Sequence, residues 1–210
     1  METYTKYPRT FHLPWSPGAT SDDKVVPSVS HFEGRQVVVT EKMDGENTTL
    51  YRNHIHARSL DSKGGEDRAW VKQFWGSIRS DIPEGWRICG ENLWACHSVQ
   101  YTNLKSYFYG FSLWDCYNIV LPWVDTVEYF EMLGICPVPV LYSGVWDETV
   151  IRNLSNSLDF KKTEGYVVRL ADSFHYDDFG VSVAKFVRAD HVQTDKHWRS
   201  QQFVANGLAS

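Results

Sequence analysis

The pattern of apolar and polar positions changes character several times along the chain. Residues 1–30 carry no sustained period. Pro8, Pro14, Pro17 and Pro27 interrupt any helix, and "SPGATSDD" is turn chemistry. "FHLPW" is too aromatic for a mobile tail, so this segment is expected to be pinned onto the body. In "RQVVVTEKMDG" the run Val37, Val38, Val39 is β-branched and continuous, which predicts a strand buried on both faces. Asp44-Gly45 signals a turn, "TTLYR" reads as the returning strand, and the alternating "HIHARS" as a third. "LDSKGGED" is a loop made flexible by its paired glycines.

Three helices follow from period-3.6 stripes. In "EDRAWVKQFWGSIRS" Val71, Phe74, Trp75 and Ile78 share one face, with Glu66 and Asp67 at the positive end of the dipole. "DTVEYFEML" has the stripe Val127, Phe130, Leu133 and is ended by Gly134 and Pro137. "DETVIRNLSNSL" has Asp147 as its N-cap. "WRICGENLWA", "SYFYGFSLWD", "GYVVRL" and "VSVAKFVR" read as further strands, the last two separated by the polar loop "ADSFHYDDFG". Strands come in clusters with helices between them, not in regular alternation. The prediction is therefore an α+β fold with mainly antiparallel sheets. No repeat or low-complexity linker divides residues 1–210, which read as one domain.

Composition changes this picture little. Hydrophobic residues make up 42% and charged residues 22% of 210, ordinary for a soluble globular protein. The net charge of −5 argues against wholesale electrostatic wrapping of nucleic acid but leaves room for a local basic groove. Cys89, Cys96, Cys116 and Cys136 form no Cys-x-x-Cys pair, so reduced thiols are expected rather than a zinc site or disulfides. The N-terminus lacks a signal-peptide layout, and no apolar run approaches the ~18 residues of a membrane span. Together these features predict a soluble, cytoplasmic protein.

The chemistry concentrates at Lys42, which follows the apolar run and sits among Glu41, Asp44 and Glu46. Taken alone, it reads as a solvated turn lysine. To act as a nucleophile it would have to lose its proton, from an ordinary pKa of about 10.4. Burial or a neighbouring cation favours that loss, while nearby carboxylates oppose it unless they hold a metal ion. His54 and His56 alternate on a strand but lack a third ligand, and read as ordinary strand residues.

"EKMDGEN" matches the Lys-x-Asp-Gly signature of the covalent nucleotidyltransferases, the superfamily of nucleic-acid ligases and capping enzymes. "HARS", "GENLWA", "YFYGFSLWD", "EGYVVR" and "VAKFVR" resemble its later elements, in the right order. "GENLWACHSVQYTNL" and "RADHVQTDKHW" look like the RNA ligase 2-like group of ATP-dependent RNA ligases, and the resemblance spans about residues 8 to 198.

This resemblance implies two mainly antiparallel sheets with flanking helices and the nucleotide between them. It implies that Lys42 attacks the α-phosphate of ATP to form lysyl–AMP, and that Asp44 and Gly45 shape the turn presenting it. Asn47 falls where the group has an asparagine important for the steps on RNA. Arg58 is placed for the ribose, a nucleotide phosphate or the RNA 5′ phosphate, Glu91 for the ribose hydroxyls, and Phe111 for stacking on adenine. Glu164 would bind a divalent metal, Mg2+ or Mn2+, and Lys185 would touch the α-phosphate and help keep Lys42 neutral. The partner implied is RNA with 3′-OH and 5′-phosphate ends.

The sequence departs from the family pattern in one place. Many relatives have Lys-x-Lys in the fifth element. Here Val187 holds the second lysine's place and Arg188 follows it, so that role falls to Arg188 or to another residue such as Lys196. Relatives often carry a further C-terminal domain, whereas about a dozen residues follow "DKHW" here. Arg35, Arg52, Lys63, Lys105, Lys161 and Lys162 could build an RNA groove. His97, His12 and Lys24 are weaker candidates for nucleotide or RNA contact. Two other classes stay open: a DNA ligase or GTP-using capping enzyme of the same superfamily, and a non-catalytic nucleotide-binding module.

Overall fold

The valine run becomes the strand around which the fold is organised. The computed structural model describes residues 4–61, 65–189 and 204–209. In chain order the elements are β1 (Phe11–His12), β2 (Gln36–Lys42), β3 (Glu46–Tyr51), β4 (Ile55–Ala57), α1 (Ala69–Ile78), β5 (Arg87–Asn92), β6 (Phe108–Trp114), β7 (Ile119–Val120), α2 (Trp123–Met132), β8 (Cys136–Pro137), β9 (Val140–Val145), α3 (Glu148–Ser157), β10 (Gly165–Leu170), β11 (Phe174–His175), α4 (Phe179–Ser182) and β12 (Val183–Val187).

They form two sheets. A five-stranded sheet runs β1-β12-β10-β2-β9, and a seven-stranded sheet runs β11-β7-β6-β5-β3-β4, with β8 paired to β6. Among the pairs of these described strands, only β1–β12 and β6–β8 are parallel. The α+β reading with mainly antiparallel sheets holds.

β2 is buried on both faces, as its unbroken valines require. Val37 and Val39 pack with Tyr166, Val168 and Trp146, while Val38 joins Leu93, Tyr109 and Val138 in a separate cluster. The three helices form where their stripes predicted. Asp147 caps α3 by accepting from the Val150 N–H at 3.0 Å.

Four expectations are corrected or completed. First, β2 and β3 are not a hairpin: β2 pairs with β10 and β9, whereas β3 pairs with β4 and β5. The Asp44-Gly45 turn carries the chain from one sheet to the other. At Gly45 a Cβ would lie 2.5 Å from the Asn92 carbonyl oxygen, so only glycine lets the crossing pass this close to β5. Second, β9 was not foreseen; it lies at a sheet edge, half exposed, beside prolines that weaken the strand signal. Third, "ADSFHYDDFG" is not a plain loop. It holds β11 and the start of α4, because Phe174 and Phe179 pack around Trp114 in the core. Fourth, the N-terminal segment is pinned, and through β-pairing: Phe11 and His12 lie opposite Ala184 and Lys185. Among the described residues no helix is long and apolar enough to cross a membrane.

Candidate active site

The side-chain alternation of the five-stranded sheet places three rows of residues across it. The register sets Lys42 opposite Gly165 and Val187 in one row. Thr40, Val167 and Lys185 form the next, and Val38, Arg169 and Val183 the third. Thr40, Lys42, Val167, Arg169, Val183 and Lys185 all face one cleft. Gly165, at φ 154°, leaves the space beside Lys42 open, and a Cβ there would come within 2.0 Å of the Phe186 carbonyl oxygen.

The seven-stranded sheet supplies the opposite wall. Asn47 lies across from Glu91 in the β3–β5 register, and both line the cleft. Between β5 and β6 the register slips: Cys89 faces Ser112 but Gly90 faces Gly110. Phe111 is therefore the extra residue of a β-bulge, a device that re-aims side chains, and Phe111 and Ser112 both reach the cleft. Arg58, just past β4, is exposed at the rim, and its N–H donates to the Asn47 carbonyl at 2.9 Å. The N-terminal segment closes one side, with Tyr7 set edge-on to Phe111 at 5.1 Å between ring centroids. The cleft encloses about 890 Å³, within the range of small-molecule sites.

Of the residues singled out by sequence, Lys42, Asn47, Arg58, Glu91, Phe111 and Lys185 line this one cleft. Glu164 joins it by accepting a short hydrogen bond from the Lys42 ammonium. Asp44 does not line it. Its Oδ2 accepts from the Ser98 N–H at 2.7 Å, the Ser98 hydroxyl at 2.8 Å and the Val99 N–H at 2.8 Å, which makes it a buckle between the crossing turn and the 93–107 loop. Arg188 also lies outside the cleft lining. Its backbone N–H donates to the Glu164 carbonyl, and its Nη1 contacts the Ala189 carbonyl at 3.5 Å. Lys63, Lys196 and most of "RADHVQTDKHW" lie outside the described residues. His12 is buried against Asp23 and Ser16, and Lys24 sits over the Phe11 ring. Neither lines the cleft.

Sequence reasoning missed Thr40, Ser112, Arg169 and Tyr7. Alternation could have found Thr40, two positions from Lys42, whereas Arg169 is placed by the pairing of β10 with β2 and β12. Tyr7 and Ser112 depend on chain crossing and on a bulge, neither of which leaves a local signal.

The electrostatics of the cleft differ from those of the chain. Six cationic side chains (Lys6, Arg9, Lys42, Arg58, Arg169, Lys185) line it against three acidic ones (Asp23, Glu41, Glu91) on a protein of net charge −5. Burial pushes the Glu91 carboxyl up to about 8; Glu164 and Asp44 add to the rise, and Lys42 opposes it. Burial also lowers the pKa of Arg169 to about 10 and, with the Lys42 charge, lowers that of Lys185. At Lys42 burial again pulls down, but Glu164, Glu91 and Asp44 outweigh it and hold the ammonium above its ordinary pKa. The resemblance implies a neutral amine; in this arrangement the Glu164 carboxylate, in direct contact with the nitrogen, favours the ammonium instead.

The Asn47 Oδ1 is buried and has no hydrogen-bond partner among the described residues, on a residue that lines the cleft. Among the described residues no cluster of three or more His, Cys, Asp or Glu side chains could hold a metal by itself.

These features define a cleft between two sheets that is rich in cationic side chains, with a lysine at the end of a buried strand. The family model for RNA ligases matches residues 35–187. The chain belongs to the RNA ligase family. A search of curated proteins found no match. Among solved structures, an archaeal ATP-dependent RNA ligase superposes with a TM-score of 0.60 at 16% identity, over 88% of this chain and 48% of that one. A Naegleria gruberi RNA ligase mutant with ATP and Mn gives 0.56 at 20% identity, over 78% and 52%. The same enzyme with PPi gives 0.54 at 19%, over 89% and 61%. These likenesses show the shared fold. The chain spans about half the length of the first of these structures.

Proposed function

We propose that this chain is the nucleotide-transferring part of an ATP-dependent RNA ligase, with Lys42 as its covalent nucleophile. The observation that carries the reading is the convergence, in one cleft, of Lys42, Lys185, Glu91, Phe111 and the unpartnered Asn47 oxygen from five strands of two sheets. The Lys42 amine attacks the α-phosphorus of ATP, forming an N–P bond as the bond to pyrophosphate breaks. AMP then passes to an RNA 5′ phosphate. A 3′-OH attacks that phosphate and AMP leaves.

Each residue has a physical task in this scheme. Lys185 and Arg58 offset charge on the phosphates. Phe111 offers a ring face to adenine. Glu91, protonated near neutral pH, can donate to a ribose oxygen, and Asn47 Oδ1 can accept from a hydroxyl. Burial and Lys185 favour the neutral Lys42 amine once the Glu164 charge is engaged elsewhere.

With no cluster of three or more such ligands among the described residues, a divalent cation would be held by Glu164, waters and the substrate phosphates, a donor set that suits Mg2+ or Mn2+. Such an ion supplies charge neutralisation to the phosphates and to Glu164.

Incubation with α-labelled ATP and Mg2+ or Mn2+, followed by a denaturing gel, tests the reading. A labelled band is expected, and Lys42→Ala should abolish it. Labelling by GTP instead would point to a capping-type enzyme. No label with any nucleotide would leave only a binding module.

A further inference from the structure

Residues 204–209 pack on the 93–107 loop between β5 and β6. Ala205 bridges Ala95, and Leu208 bridges Leu104. Main-chain bonds run from the Cys96 N–H to the Val204 carbonyl at 2.8 Å, from the Asn206 N–H to the Trp94 carbonyl at 3.0 Å, and from the Gly207 N–H to the Tyr101 carbonyl at 2.8 Å. At the centre lies Asn206, 3% exposed. Its Oδ1 accepts from the Tyr101 N–H at 2.9 Å, and its Nδ2 donates to the Leu93 carbonyl at 2.8 Å. Its own carbonyl accepts from the Tyr107 hydroxyl at 2.9 Å. A buried amide satisfied on both sides locks the groups it joins, since leaving any of them unpaired is costly.

The loop held in this way grips the turn that carries Lys42. The Tyr101 hydroxyl accepts from the Asp44 N–H at 2.9 Å, and Ser98 and Val99 hold the Asp44 carboxylate. The contacts thus link Asn206 to Asp44 through Tyr101, whose N–H meets Asn206 and whose hydroxyl meets Asp44, two residues from Lys42. The same loop follows directly on β5, which carries Glu91.

We infer that residues 204–209 are a positioning strap for the nucleophile turn, with Asn206 as its anchor and Tyr101 as its link to Asp44. The strap makes no part of the cleft lining, so it acts on where Lys42 is held and not on nucleotide affinity. The inference rests on the reading of Lys42 as nucleophile.

The test measures single-turnover labelling of the full chain by α-labelled ATP over a range of ATP concentrations, for wild type, Asn206→Ala, Tyr101→Phe and the double variant. Each single variant should lower the maximal labelling rate about tenfold or more, as expected when a reacting group is misplaced by a fraction of an ångström. The half-saturating ATP concentration should move less than about threefold, because uniform binding is untouched. The double variant should be no slower than the slower single one, since both break the same chain of contacts. Wild-type rates in either single variant, a loss expressed only as weaker ATP saturation, or losses that multiply would each overturn the strap. Where Asn206→Ala fails to melt cooperatively, Asn206→Ser takes its place in the same comparison, with Tyr101→Phe testing the link to Asp44. A wild-type chain that takes no label overturns the nucleophile reading and the strap with it. A labelled wild type with fully active variants overturns only the strap.

Discussion

At the residue scale, the cleft holds several ionisable groups whose environments push their pKa values apart. Burial opposes the Lys42 charge but the Glu164 carboxylate in contact with it raises its pKa, while burial is the main cause that raises that of Glu91. The consequence for Glu91 has a defined sign. Its pKa rises from 4.5 to about 8 on folding, so the folded state binds the extra proton across that window. The stability it contributes is present below the unfolded value and is lost as pH rises through the folded one. Glu91→Gln cannot lose it. The melting temperature of Glu91→Gln should therefore gain on wild type steadily between about pH 5 and pH 9, as measured by thermal unfolding at several pH values. A difference that stays flat with pH would mean that Glu91 is ionised in the fold. Lys42 and Glu91 were legible in the sequence as residue types in an ordered pattern. Their pKa shifts were not, because that of Glu91 arises mainly from burial and that of Lys42 from Glu164, which lies 122 positions away.

At the scale of elements, period alone located the three helices and the seven strands expected from apolar runs. It failed where an element is defined by its partner. The turn after Lys42 looks like a hairpin turn and is a crossing between sheets, because both neighbours of β2 come from later in the chain. Phe111 was marked as the base-stacking ring from the resemblance. Its reach into the cleft depends on the β5–β6 bulge, which a single strand's alternation cannot reveal. Gly165 sits where β10 enters this arrangement, opposite Lys42 and pressed against β12. Gly165→Ala forces a side chain into a left-handed backbone position and against a carbonyl, with a cost of about 1–3 kcal/mol. Denaturant unfolding should show that loss as a lower midpoint with an unchanged slope. An unchanged midpoint would show that β12 yields to make room.

At the scale of the whole molecule, remote parts of the chain close the site. The N-terminal segment binds both sheets. Phe11 and His12 pair with β12, while the Thr5 N–H donates to the Tyr51 hydroxyl on β3 at 2.9 Å. Tyr7, held between, touches Phe111 and Phe179 and walls the cleft. Tyr7→Ala should raise the ATP concentration for half-maximal labelling about tenfold, the equivalent of 1.4 kcal/mol, by removing aromatic contacts that order Phe111. An unchanged value would show that the cleft needs no wall there.

What the sequence by itself determined is local or sequential. It set the helices and most strands, through the spacing of apolar residues, and it set the order of the six short elements that mark the chain as similar to RNA ligases. What only the tertiary structure decided is everything that joins distant positions: the sheet to which each strand belongs, the bulge under Phe111, the Lys42–Glu164 contact, the raised pKa of Glu91, and the contact of residues 204–209 with the 93–107 loop. The physical reason is common to all of them. Hydrophobic period is a property of neighbouring residues on one element, whereas strand pairing, burial and electrostatic shifts arise between elements and exist only once the chain has folded.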